Sequence, residues 1–154
     1  MFPEGDDYAR RLREARERSG KSIDEMAALV GLSWESYNEL ERDDDEIIDS
    51  VSLRQIVTLS RALKIDLVEF FSSGPAKKPR EGVSLETLAQ KISDFLVAEK
   101  LTVTEFENTA GWEVANSLTD PSRFMNFNML GLMEVCEIVG VDWRGVLAQL
   151  SQTG

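Results

Sequence analysis

The side chains that could do chemistry in this sequence are carboxylates, arginines and lysines. The 154 residues include 28 aspartates and glutamates, 17 lysines and arginines, one cysteine and no histidine, so the net charge is −11. Without histidine, Ser-His-Asp and Cys-His catalysis and most zinc sites are excluded. Carboxylates alone can perform acid–base chemistry, but their distribution here is typical of a solvated surface. We therefore expect a binding protein that uses no cofactor, and not an enzyme.

One acidic run, RDDDEIIDS at residues 42–50, could suggest a calcium site. Calcium loops need alternating oxygen ligands around a central glycine, and this run has neither. The sequence predicts a solvated loop with no metal, in which Asp43 and Asp44 could contact a partner.

Two short segments carry a tryptophan, a glutamate and an asparagine at the same spacing, WESYNEL at 34–40 and WEVANSL at 112–118. The candidate partner-binding residues are Trp34, Glu35, Asn38 and Glu39 in the first segment, Glu41 directly after it, and Trp112, Glu113 and Asn116 in the second segment. An aromatic anchor ringed by carboxylates suits a basic protein, because tryptophans dominate interface hot spots and carboxylates steer cations. The alternative is that each tryptophan folds back onto its own unit.

Two short helices position the first of these segments. Ser22 followed by Glu25 is a capping box that predicts a helix from Ile23, and Gly31 suits the left-handed residue that ends it. Ser33 then caps a second helix. The side chains predicted to face inward are Met26, Ala27, Leu29, Val30, Tyr37 and Leu40. This pattern predicts a helix-turn-helix, whose second helix usually reads DNA.

The whole sequence predicts an all-α fold of two tandem five-helix units. The units span residues 1–72 and 84–154, and a linker rich in glycine, serine, proline and basic residues joins them at 73–83. Thr102 with Glu105 repeats the first capping box eighty residues later. Three matched segments follow in the same order in both units, which indicates an internal duplication.

The first unit resembles the lambda-repressor/Cro-like (Xre) helix-turn-helix family over residues 8–71. The resemblance rests on LREARERSGKSIDEMAALVGLS, ELER and SLRQIVTLSRALKIDLVEFF. It implies a five-helix bundle, frequent dimerisation and, most often, DNA binding. The second unit resembles the family only through the first. Glu107 stands at the position of Ala27, where two helices must cross closely, so we expect the second motif to be distorted.

The sequence departs from the family where DNA would be contacted. Family members commonly hold phosphate with a glutamine at the position of Ile23, and no lysine or arginine lies between Lys21 and Arg42. Non-specific DNA affinity comes almost entirely from phosphate neutralisation, so DNA is disfavoured as a partner. In the alternative of a DNA-binding transcriptional regulator, the contacts would come from Arg10, Arg13, Asn38 and Arg42.

The leading hypothesis is a protein-binding module on a repurposed helix-turn-helix tandem. Its acidic faces would engage a basic partner, such as a toxin or a nucleic-acid-binding protein, as an antitoxin or immunity protein does. The lone Cys136 in an apolar run fits a buried core position and a reducing compartment. The start of the sequence does not resemble a signal peptide, and no apolar run reaches the ~20 residues of a membrane span, so we expect a cytoplasmic protein without membrane contact.

Overall fold

The computed structural model describes residues 7–72 and 81–152, and these residues form α-helices, one 3₁₀ helix and no strand. The all-α prediction is therefore confirmed. The chain divides into two compact units, residues 1–79 and 80–154. No helix in the described part of the chain is long and apolar enough to span a bilayer.

The first unit contains six described helices. They are α1 (Tyr8–Ser19), α2 (Ile23–Val30), α3 (Trp34–Leu40), α4 (Glu46–Asp49), α5 (Leu53–Leu63) and α6 (Leu67–Phe71). The short helix α4 lies inside the acidic run that we predicted as a loop. The prediction was wrong because Ile47 is buried at 3% exposure, and one helical turn carries this side chain into the core.

Side-chain caps start the helices of the motif, as the sequence predicts. The Ser22 hydroxyl accepts a hydrogen bond from the Glu25 amide (3.0 Å), and the Glu25 carboxylate accepts one from the Ser22 amide (2.9 Å). Gly31 ends α2 at a φ of 76°, a left-handed conformation that glycine adopts without strain. Ser33 caps α3 by accepting from the Ser36 amide.

The core of the first unit closes around the two motif helices. Its fully buried large side chains include Leu12, Met26, Tyr37, Leu40, Leu53, Ile56, Leu59 and Phe71. Tyr37 and Leu40 face inward, as predicted. Leu29 does not, because it lies on the outer side of α2 with 52% of its surface exposed.

The second unit contains five described α-helices and the 3₁₀ helix. They are α7 (Leu85–Glu99), α8 (Val103–Ala110), α9 (Ala115–Thr119), the 3₁₀ helix (Pro121–Asn126), α10 (Met129–Val139) and α11 (Trp143–Gln152). The predicted capping box of Thr102 with Glu105 is present. The 3₁₀ helix stands at the position in the chain order that α4 has in the first unit. One short helix was thus missed in each unit.

The predicted linker at 73–83 lies largely outside the described residues. Its last residues pack onto the second unit, since the Val83 amide donates a hydrogen bond to the Gly145 carbonyl (2.9 Å). A Cβ at position 145 would lie 2.8 Å from the Val83 side chain and 3.0 Å from the Glu81 carbonyl oxygen, so this close approach requires glycine. Cys136 is fully buried, and burial raises the pKa of its thiol to about 12, which fits the predicted core position.

Candidate functional site

The outer surface of α2 and α3 forms the candidate site, which we call the motif face. Two large apolar side chains are exposed there, Leu29 at 52% and Trp34 at 46%. Apart from Val97 in the second unit, they are the exposed large hydrophobic residues of the described chain. Apolar side chains exposed within one small motif are typical of a surface that meets another molecule.

Carboxylates lie on the same two helices as Leu29 and Trp34. Asp24, Glu25 and Glu35 are exposed, while Glu39 is partly exposed and Asn38 is half-buried. The backbone and side chain of Ser22 hold the pKa of Glu25 below its usual value, so this carboxylate stays ionised into the acidic range. Charges on the motif face are therefore negative, since no lysine or arginine occurs between residues 21 and 42.

The arginines of the DNA-binding alternative are mostly engaged with carboxylates. The Arg10 guanidinium contacts Asp7 at 2.8 Å and Glu14 at 3.1 Å. Arg42 lies 3.4 Å from Glu39, one helical turn away. Arg13 is exposed. Each engaged arginine has its charge largely balanced before any phosphate approaches.

Glu41 is not part of the motif face, which corrects our prediction of an outward side chain. It is 4% exposed and accepts two hydrogen bonds from the Arg16 guanidinium, at 2.7 Å from Nε and 3.0 Å from Nη2. Arg16 also donates to the Lys21 carbonyl (2.9 Å). The ion pair joins α1 to the end of α3, so Glu41 helps to fix the position of α3 in the unit.

The Tyr37 hydroxyl is buried next to this ion pair. It makes no hydrogen bond of ordinary geometry within the described residues, yet burial and the nearby Glu41 carboxylate raise the pKa of Tyr37 far above its usual value. The hydrogen bonds to Glu41 likewise raise the pKa of Arg16. The tyrosine is therefore neutral and the arginine charged at neutral pH.

Asp43 and Asp44 are exposed, but both side chains also accept hydrogen bonds from backbone amides. Asp44 accepts a hydrogen bond from the Ala9 amide in the first turn of α1 (2.9 Å), and Asp43 accepts one from the Asp45 amide (3.0 Å). Within the described residues, no group of three or more metal-binding side chains is gathered that could hold a metal. The acidic run therefore stabilises the start of α1 in addition to facing solvent.

Trp112 folds back onto its own unit, unlike Trp34. Its ring stacks on Phe127 at a centroid distance of 5.9 Å, and its indole N–H donates to the Glu134 carboxylate (2.9 Å). Gly131 leaves room for the ring, since a Cβ there would lie 3.0 Å from Trp112. The prediction of two equivalent outward tryptophans was therefore wrong, and the alternative that we considered holds for the second unit.

Glu107 explains why the second motif differs from the first. Its carboxylate accepts hydrogen bonds from the Val114 amide (2.7 Å) and the Ala115 amide (3.0 Å), so α9 begins at Ala115 and not at Trp112. Glu113 and Asn116 remain exposed, with Glu113 before α9 and Asn116 within it. The helix after Trp112 thus begins later than the alignment with the first unit predicts, and the carboxylate of Glu107, which is aligned with Ala27, accounts for this difference.

Replacing Glu107 by alanine should destabilise the second unit by about 1–2 kcal/mol. The variant leaves the Val114 and Ala115 amides without their acceptor, and Val114 is fully buried. Hydrogen exchange of residues 112–118, followed by mass spectrometry, should become faster. Glu113→Ala is the matched control, since its side chain is exposed. Equal exchange in both variants would contradict the capping role.

Sequence patterns could have revealed two of the side chains that we misplaced. Glu41 follows the inward-facing Tyr37 by four positions, and residues four apart share one face of a helix. Glu107 is too large for the close helix crossing at which the first unit has Ala27. This mismatch indicates that the next helix cannot begin at Trp112, the position aligned with the start of α3. No sequence pattern indicates that Arg16 and Glu41, 25 residues apart, form a pair.

Comparison with known proteins supports the motif assignment in the first unit. Residues 12–70 match the family model described as Helix-turn-helix. Comparisons with curated proteins and with solved structures gave no match.

Proposed function

We propose that residues 12–70, which match the family model described as Helix-turn-helix, place the first unit in the lambda-repressor-like (Xre) family, and that its motif face binds a basic protein. The observation that carries the proposal is the exposed pair of Leu29 and Trp34 on a surface whose charges are negative. Antitoxins and immunity proteins are the class of binding protein that this chemistry suits, because their partners often carry cationic clefts.

Electrostatics favours a cationic partner over a nucleic acid at this face. A duplex carries one negative charge per about 1.7 Å of its axis, and its binding depends on cations that replace condensed counterions. Carboxylates at Glu35 and Glu39 would meet those phosphates with like charge. The same carboxylates attract lysines and arginines and accelerate the capture of a basic partner.

The apolar pair supplies the part of the affinity that charge does not. Trp34 begins α3 and presents a large rigid ring, and Leu29 extends the apolar surface onto α2. Interface energies concentrate in such aromatic anchors when surrounding polar groups exclude water. We therefore expect the partner to offer an apolar pocket framed by cationic side chains.

Affinity purification from the native host tests this proposal. Tagged full-length protein should retain a basic protein at about 50 mM salt and release it as the salt concentration rises. Trp34→Ala should weaken the purified pair by about 2 kcal/mol, or roughly thirtyfold in Kd, because it removes the anchor. Glu35→Lys should slow association. The matched control is Glu113→Lys, the aligned exposed position of the second unit, which should leave binding unchanged.

A second candidate function, DNA-binding transcriptional regulation, is favoured by the family match itself. It would rely on Arg13, with Asn38 reading a base. A mobility-shift assay with the DNA upstream of the gene, at about 50 mM salt, separates the two candidates. Specific binding that survives Trp34→Ala but fails in Arg13→Ala would replace the protein-binding proposal by this one.

A further inference from the structure

A second charged surface of the first unit lies between the end of α1 and the end of α5. Arg18, Lys21 and Lys64 line a groove of about 510 Å³, together with small or apolar residues. The other lining residues are Ala15, Ser19, Ala62 and Leu63. No carboxylate lines the groove, although acidic residues outnumber basic ones in the chain by 28 to 17.

These three cations differ from several other arginines of the described chain. Arg10, Arg16 and Arg42 each lie within ion-pairing distance of a carboxylate, as do Arg123 and Arg144 in the second unit. Among the described residues, no carboxylate forms an ion pair with Arg18, Lys21 or Lys64. The groove therefore holds three positive charges outside any ion pair of the described residues, although Lys21 is near enough to Glu25 to help lower the pKa of that carboxyl group.

The structural explanation, which needs no ligand, is that these cations complement the negative C-terminal ends of two helices. The second unit has Ala98, Leu101 and Gly140 at the aligned positions, and it places one cation, Lys100, at the end of α7. Lys64 and Lys100 share a left-handed conformation, at φ of 55° and 57°. One cation at a helix end therefore satisfies that explanation, whereas the groove brings three cations to two helix ends.

We infer that this groove binds a compact ligand carrying phosphate groups. Arginine can hold a phosphate with two parallel hydrogen bonds, and lysines add positive charge from the sides. The volume lies within the range of about 300–1,000 Å³ that small-molecule sites occupy. A compact anion fits better than a long polyanion, because a chain with a net charge of −11 repels the remainder of an extended one.

Isothermal titration calorimetry of the full-length protein with inorganic pyrophosphate, and separately with ADP, tests the inference at about 20 mM salt. We expect saturable binding of one ligand per chain. The variant Arg18→Ala with Lys21→Leu and Lys64→Gly copies the second unit, so it should fold, and it should bind at least about tenfold more weakly. A charge-matched control, Arg54→Gln with Lys91→Gln and Lys100→Gln, removes three exposed cations elsewhere and should bind as the wild type does.

The arms of this experiment distinguish the source of the phosphate. Binding of pyrophosphate and ADP alike indicates recognition of the phosphate chain, and binding of ADP alone indicates a nucleotide site. The inference would be overturned if neither ligand gave a saturable binding signal, or if both triple variants lost the same amount of affinity for the ligand. A DNA duplex of about 20 base pairs that binds through these three residues, while pyrophosphate does not, would overturn it as well. Because Trp34→Ala leaves the groove intact, this result is independent of the proposed partner.

Discussion

Glu41→Ala is expected to destabilise the first unit by about 3 kcal/mol, although Glu41 stands on a helix whose outer face is acidic and exposed. The substitution removes both hydrogen bonds to the Arg16 guanidinium and leaves a largely buried cation unpaired. Breaking a buried pair costs about 3–5 kcal/mol, and the lower end applies because 14% of the Arg16 side chain still reaches water. Glu39→Ala, two positions earlier and partly exposed, should change stability by less than about 0.5 kcal/mol.

Hydrogen exchange measures this loss in each unit separately. Core amides of α1 and α5 should exchange faster in Glu41→Ala, while those of α7 and α10 keep their rates. The double variant Arg16→Leu with Glu41→Thr copies the aligned Leu96 and Thr119 of the second unit, and it removes both charges together. It should retain more stability than Glu41→Ala, because removing both partners leaves no unpaired buried charge. Equal stability of Glu41→Ala and Glu39→Ala would contradict the structural role of the pair.

Trp112→Ala should destabilise the second unit by about 3 kcal/mol, whereas Trp34→Ala should cost the first unit less than about 1 kcal/mol. The Trp112 variant loses the stack on Phe127, opens a cavity beside Gly131 and leaves the Glu134 carboxylate without its donor. Trp34 has nearly half of its surface in water, so its removal leaves little cavity.

Urea unfolding followed by tryptophan fluorescence and by exchange of α10 amides would measure this contrast. Trp112→Phe serves as a partial rescue, because it keeps the aromatic stack but not the indole hydrogen bond, and its loss should be intermediate. If Trp34→Ala proved as costly as Trp112→Ala, Trp34 would be a structural residue, and the motif face would lose its anchor.

The sequence allowed most helices to be predicted because their starts are encoded by local chemistry. Serine, threonine or aspartate caps precede α2, α3, α5, α6, α7 and α8, and each binds an amide three residues further on. Such signals act within one turn, so a single sequence reveals them. The short helix α4 escaped prediction, and the start of α9 was predicted at Trp112 and lies at Ala115, because tertiary packing sets both positions, through Ile47 in one case and Glu107 in the other.

The candidate site was harder to predict than the fold, since exposure depends on how helices pack. Leucine is usually a core residue, and only the packing of α2 shows that the Leu29 side chain faces outward. Glutamate is usually a surface residue, and Glu41 can be buried only because it pairs with Arg16. The two tryptophans share one sequence context, yet Glu107 moves the start of the helix behind Trp112 and turns that ring inward.

The capping role of Glu107 has a consequence for stoichiometry. The duplication that we predict from the sequence would lead one to expect two copies of the same partner, one on each unit. Because the second motif buries its tryptophan and shortens its outer helix, it offers no equivalent docking surface. A titration of the proposed basic partner should therefore saturate at one molecule per chain, and avidity from two identical sites on one chain should be absent.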